Sequence, residues 1–472
     1  MKHSGPAAVL FPLPTQEELA AMSEGEALNY LGEELASPVF VEKLLEDEAV
    51  NNAAALLHQD PGSLDFNNSS EVVDFLQALL PDIIPAGALA SRQAFEDPFA
   101  AGGAAGAQAL EPPAVPLSPE VLAQGGSFTA NAHGYSALFY NPAAFSSAKG
   151  ELTLLAASCW VYANPVRFFE SLPRWDDTVA LTEFLEAEVT SGGFGVGSSA
   201  GVGYVGRGLG LGAVLSTDSY VWGPTALGAG GSMQADLQFV AGFAVPLKIL
   251  GARLSLGGDL RPILRLSVPV DYTAMFVFLD SLQGGGDPFA ALEAAPALYG
   301  FGFGIDLGAI LELGGLKVGV SVRDFLGTRI GYTESTFGEV LDSFRDTGGF
   351  PAGGTAVAED HVIPMELSVG LSYRFNIAPR IIDPVVHLAL SDVIGVIRSE
   401  RSPWAMLHLG TEVRLLRFLA LRAGLNQGYL TFGGGVRLPL LDINAAFFTR
   451  EMGRHLGDRP SSGLALEAAL RL

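Results

Sequence analysis

What the chain lacks narrows its class. No apolar run among its 472 residues reaches the roughly 18 that a membrane-spanning helix needs, so helical spans are excluded. Basic residues are few, 27 Lys and Arg against 51 Asp and Glu, and the net charge of −24 argues against a nucleic-acid partner. It reads instead as an acidic, solvated surface. A single cysteine, Cys159, excludes an intrachain disulfide framework. It lies in an apolar stretch, 152–160, and reads as a packed thiol rather than a nucleophile. The seven histidines form no metal-ligand spacing, and no nucleophile elbow is present, so neither a metal, a cofactor nor an enzyme is expected. Gly201-x-Gly203-x-x-Gly206 matches a dinucleotide fingerprint, but it sits inside an alternating stretch without a βαβ context and is set aside.

What is present is alternation. From Phe301 to Leu313 the odd positions read Phe301, Phe303, Ile305, Leu307, Ala309, Leu311 and Leu313, and the even positions between them are glycine, Asp306, Ile310 and Glu312. After Gly314-Gly315 the pattern restarts with Leu316, Val318, Val320 and Val322 against Lys317, Gly319, Ser321 and Arg323. This is a β-hairpin with one apolar face and one small or polar face. Its strands reach the roughly 9–11 residues that cross a bilayer at a tilt, and apolar content without apolar runs is what such strands produce. The fold class is therefore an all-β membrane barrel of antiparallel strands. The chain holds 58 glycines, concentrated after residue 190, and on an inward face they leave room for a plug or a lumen.

About fourteen strands can be placed from residue 151 to 472: 152–162, 193–205, 208–217, 234–246, 252–265, 299–313, 315–323, 361–375, 383–391, 404–415, 418–425, 429–438, 440–450 and 463–472. The connections after odd strands are long with one exception, the longest being 266–298 and 324–360; those after even strands span only a few residues. This parity is that of an outer-membrane barrel with short periplasmic turns and long external loops. Charges of both signs fall on the predicted inner face, among them Asp259, Arg261, Arg265, Asp306, Glu412, Arg414, Arg422, Asp442, Glu467 and Arg471. A lumen network holding strands and plug in place accounts for them, because charge facing lipid is costly.

The N-terminal third differs. Residues 1–90 read as an acidic helical extension, opened by a Thr15/Glu18 capping box. Residues 91–123 are an Ala-, Gly- and Pro-rich linker in which Ser118-Pro119-Glu120 starts a short helix. The apolar stretch 7–10 is too short for a signal-peptide core, so the export signal a barrel needs is not visible. Residues 124–150 are apolar, aromatic and too irregular for a strand: either a loop leading into strand one, or a plug folded into the lumen.

Within that segment, Tyr140-Asn141-Pro142-Ala143-Ala144, followed by a turn and a long first strand, resembles the Asn-Pro-Ala hatch motif of FadL-type outer-membrane proteins, and is most similar to their spirochaete members. The resemblance covers residues 124–472. It implies outer-membrane transport of hydrophobic compounds, long-chain fatty acids in particular. Asn141, Pro142 and Ala143 would belong to a hatch that moves when ligand binds. Phe128, Tyr135, Phe139 and Tyr140 would flank the lumen pocket. Tyr272, Met275, Phe276, Phe278, Leu279 and Leu282, on the third long loop, would capture the ligand first. The N-terminal extension would be periplasmic and could meet a protein partner there. The sequence departs from the family in the length of its N-terminal region and in ending on Leu472 rather than an aromatic. Two alternatives stay open: a scaffold, secretion partner or surface antigen without a ligand path, and a water-filled porin.

Overall fold

The computed structural model describes residues 115–472 apart from 127, 172–177, 226–228, 250, 271–292, 352, 359, 378–380, 399–401 and 454. The sequence-predicted helical extension, most of the linker and the six apolar residues of the third loop lie outside the described residues.

The strands are β1 (Glu151–Tyr162), β2 (Gly195–Gly206), β3 (Leu209–Trp222), β4 (Gly230–Ile249), β5 (Ala252–Val270), β6 (Pro296–Leu313), β7 (Leu316–Arg323), β8 (Thr328–Thr336), β9 (Thr355–Ala356), β10 (His361–Ile363), β11 (Glu366–Arg374), β12 (Ile382–Leu390), β13 (Leu407–Leu415), β14 (Leu419–Asn426), β15 (Tyr429–Arg437), β16 (Leu441–Glu451) and β17 (Pro460–Arg471). All pairings are antiparallel, and β1 pairs with both β2 and β17, which closes the sheet. β7 and β8 are successive parts of one barrel strand alongside β6. β9, β10 and β11 follow one another along that strand's other side, β9 and β10 against β8 and β11 against β7. The result is a closed barrel of 14 strands. Closure satisfies the ladder at every strand and leaves no open edge, the only way a sheet can cross a bilayer.

The strand boundaries differ from the sequence reading at one place above all. Residues 328–336 were expected in the fourth long loop, but they form β8. The run Asp324-Phe325-Leu326-Gly327 hides the continuation: Asp324, Leu326 and Gly327 have φ of 48°, 68° and 79°, so the alternation slips across them.

Alternation sets the two faces. Outward lie Phe239, Phe243, Phe301, Phe303, Leu371 and Leu466, all exposed in the isolated chain. A band of exposed phenylalanine and leucine this continuous has lipid as its natural solvent. Inward lie the charged groups, many of them paired: Arg265 Nε donates to Asp236 Oδ1 at 2.8 Å, and Arg261 Nη2 to Asp324 Oδ1 at 2.7 Å. Pairing of this kind offsets the cost of taking them out of water. Cys159 contradicts the packed-thiol reading. A register shift between Thr153 and Leu155 in β1 turns Ala156, Ser158 and Trp160 inward and leaves Cys159 exposed on the outer face.

The long connections gather at one end of the barrel. They carry the helices Pro165–Ser171, Thr178–Ser191, Phe337–Thr347 and Val393–Arg398. The helix Phe337–Thr347 is opened by a capping box, with Glu339 N donating to Thr336 Oγ1 at 3.2 Å, and it buries Val340 beside Tyr299. The connections 207–208, 250–251, 314–315, 375–381, 416–418 and 438–440 make the other, short-turn end.

Candidate functional site: the segment inside the barrel

Before entering β1, the chain from residue 115 to residue 150 is packed against the inner wall. Its local shape follows from its sequence. Pro119 occupies the first turn of the helix Pro119–Leu122, where its missing N–H costs nothing. Gly125 and Gly126, at φ of 85° and 89°, turn the chain out of it. Asn141 caps the 3-10 helix Pro142–Ser146, its Oδ1 accepting from Ala143 N at 3.0 Å, again with proline in the first turn.

Wall glycines receive this segment. A Cβ on Gly257 of β5 would fall 2.5 Å from the Pro142 carbonyl oxygen. One on Gly308 of β6 would fall 2.9 Å from Pro142 Cδ, and one on Gly319 of β7 would fall 2.6 Å from the Thr129 carbonyl oxygen. On β3, Gly210 and Gly212 leave the space taken by Phe145 and Leu138. The inward glycines are thus the negative of the internal segment, a close approach that any side chain would block.

Asn141 joins the two surfaces. It is fully buried, and its Nδ2 donates to the Thr129 carbonyl at 2.8 Å and to the Val320 carbonyl of β7 at 3.2 Å. Ser146 Oγ donates to Ser255 Oγ of β5 at 2.7 Å, and Arg253 donates to the Ser146 carbonyl. Around these bonds lies an apolar cluster of Leu138, Phe139, Phe145, Val205, Val214 and Val240, with Tyr135 and Tyr140 packed on it.

A second set of contacts is polar. The Gln124 and Gly125 carbonyls accept from His387 Nε2 and His408 Nδ1. Glu120 lies 2.9 Å from Arg422 Nη2, 3.7 Å from Arg414 Nη2 and 3.6 Å from His133 Nε2. Arg422 in turn donates to Glu412 at 2.8 Å and to Asn444 at 2.7 Å.

The sequence-predicted residues of this region fall together. Asn141, Pro142 and Ala143 are buried at the junction with β5, β6 and β7. Tyr135 and Phe139 meet edge to face at 5.4 Å, and with Tyr140 they line a cavity of about 20 Å³ bounded also by Leu117, Ser158, Ser199 and Glu467. Phe128 is fully buried on the other side of Tyr140, among His133 and His387. A cavity of that size holds about one water, not a hydrocarbon chain, so a ligand can enter only if the segment moves. Glu120 was missed. Its proline-started helix was visible, but its arginine partners lie some 300 residues away in the chain.

A closed antiparallel barrel with an apolar outer face and a filled lumen defines an integral β-barrel membrane protein. No protein-family model matches the chain, and no curated protein matches it. Solved structures with which it shares a likeness include the CymD monoaromatic hydrocarbon channel (14% identity, covering 76% of this chain and 97% of that one, TM-score 0.42). They also include the Ralstonia pickettii toluene transporter TbuX (13% identity, 76% and 98%, TM-score 0.41). A third is the Pseudomonas putida toluene transporter TodX (13% identity, 74% and 96%, TM-score 0.39).

Proposed function

We propose that the chain is a bacterial outer-membrane transporter of the FadL type, carrying hydrophobic compounds and long-chain fatty acids in particular. The observation that supports this best is the filled lumen. Residues 115–150 form a plug seated in wall glycines, with Asn141-Pro142-Ala143 at its most enclosed point. A general porin has no use for such a fit. In this reading Tyr272, Met275, Phe276, Phe278, Leu279 and Leu282 capture the ligand on the external side. The ligand passes to the aromatic site of Phe128, Tyr135, Phe139 and Tyr140, and a shift of the hatch around Asn141 lets it leave. Residues 1–90 are the periplasmic extension, available to a protein partner. Transport is binding and diffusion, without covalent chemistry.

The test is saturable binding of a fluorescent long-chain fatty acid by the full chain refolded in detergent, with Asn141→Ala and Pro142→Ala beside it. Binding altered by the hatch substitutions supports the reading. A folded, heat-modifiable barrel that binds nothing makes the protein a scaffold or antigen. Phe276→Asp combined with Phe278→Asp is expected to weaken fatty-acid uptake in cells while leaving the barrel folded; unchanged uptake removes the external loop from the route.

A further inference from the structure

The transport reading does not say which groups hold the ligand's carboxylate or what frees the plug, and the wall around Glu120 bears on both. Arg422 on β14 is buried and uses all of its fork: Nε on Glu412, Nη1 on Asn444 and Nη2 on Glu120, at 2.8, 2.7 and 2.9 Å. Arg414 on β13 places Nε 2.6 Å from Glu412 and Nη2 3.7 Å from Glu120. Of the wall carboxylates, Glu412 pairs with both of these guanidiniums. A second carboxylate is brought by the plug, on a helix of four residues whose other buried side chains, such as Val121 and Leu122, are apolar. Withdrawing Glu120 alone would leave a buried guanidinium short of an anion, which is strongly unfavourable. Withdrawing it while another carboxylate arrives leaves the number of ion pairs unchanged.

The site lies between the aromatic cavity and the short-turn end, on the exit side of the proposed route. The Arg414 side chain is 23% exposed, and with Arg422, Arg437 and Asn444 it borders a cavity that opens at the short-turn end. On the plug side, Leu117 and Ser118, the two residues preceding that helix, line the cavity of Tyr135, Phe139 and Tyr140. Arginine and aromatic lining are thus set on the two sides of one short helix. An apolar body with a terminal carboxylate matches that arrangement, and a neutral hydrocarbon meets only half of it.

We propose that Glu120 is a resident substitute for the ligand's carboxylate: an incoming apolar carboxylate exchanges with it on Arg414 and Arg422 and so frees residues 115–126 from the wall. This rests on the transport reading and adds two things to it, the groups that hold the ligand's carboxylate and a release step. The channel prefers amphiphilic carboxylates to neutral molecules of equal size, and the preference is set by competition with its own plug.

The experiment compares hexadecanoate with hexadecan-1-ol, titrated onto the full chain in detergent, for wild type, Glu120→Gln and Arg414→Gln. Glutamine keeps the size and hydrogen-bonding oxygen of Glu120 but not its charge. Glu120→Gln is expected to bind hexadecanoate about tenfold more tightly and to leave the alcohol within about twofold. Arg414→Gln is expected to weaken hexadecanoate by about tenfold and to spare the alcohol. Heat-modifiable migration checks folding, and Glu120→Ala repeats the comparison if the glutamine variant does not assemble. Equal shifts for both ligands, or none for either, overturn the exchange while leaving transport standing. If neither ligand binds saturably to the folded wild-type barrel, the transport reading and the exchange fall together.

Discussion

Residues 129–146 and residues 117–126 are successive parts of one plug, yet they meet the barrel by different physics. The first part fits by shape. Its backbone lies against Gly257, Gly308 and Gly319, and its own bonding groups there are mostly uncharged: Asn141 on the Val320 carbonyl, Ser146 on Ser255 and Arg253, and Tyr135 N on Glu151. The second part also meets glycines, but it adds charge: Glu120 on Arg422 and Arg414, with His387 and His408 on the carbonyls beyond. A shape fit has no soluble competitor. A carboxylate on an arginine has one in every carboxylate ligand. A plug built this way is anchored at one part and exchangeable at the other.

The comparison can be broken most sharply at Gly308. Gly308→Val places a branched side chain where Pro142 Cδ and Ala143 N lie 2.9 and 3.0 Å from the Cβ position. Ordinary overpacking costs about 1–3 kcal/mol, and contacts this short with the Pro142 ring and the Ala143 backbone lie beyond that range. The expected outcome is an unseated plug and steady ion conductance. Asn141→Ala comes next. It removes the bonds to the Thr129 and Val320 carbonyls and the cap on Ala143, at about 2–4 kcal/mol in total. Hydrogen exchange should quicken across 129–146 while the barrel strands hold. Glu120→Gln should be milder, about 1.5–2 kcal/mol, and confined to the other part: exchange rises in 117–126 and not in 129–146. Equal loosening of both parts would erase the distinction drawn here. The smallest effect belongs to Thr336→Ala, which removes the cap of an external helix for about 1 kcal/mol and should leave both parts of the plug untouched.

Much of this molecule is legible from its sequence, for local reasons. Period-2 alternation marks faces residue by residue, so the strands and their inward glycines and charges could be read directly. Aromatic density marked Phe128, Tyr135, Phe139 and Tyr140 as one group, and they lie near one another within the plug. What escaped is what alternation cannot carry. β8 was lost because left-handed residues at 324–327 break the pattern. The outward face of Cys159 depends on a one-residue register shift in β1. Glu120 was taken as linker because its meaning comes from Arg422, a partner with no local signature. The lipid-facing leucines needed no such partner and were placed correctly from pattern alone.

The central claim is that the lumen is closed by residues 115–150 and opens for an apolar ligand. Ion conductance of the full chain in a planar lipid bilayer tests it most directly. The account predicts a silent barrel at rest, with brief openings when a long-chain fatty acid is added and none with buffer alone. Steady, ligand-independent conductance by the wild-type chain would contradict it and make the protein an open porin.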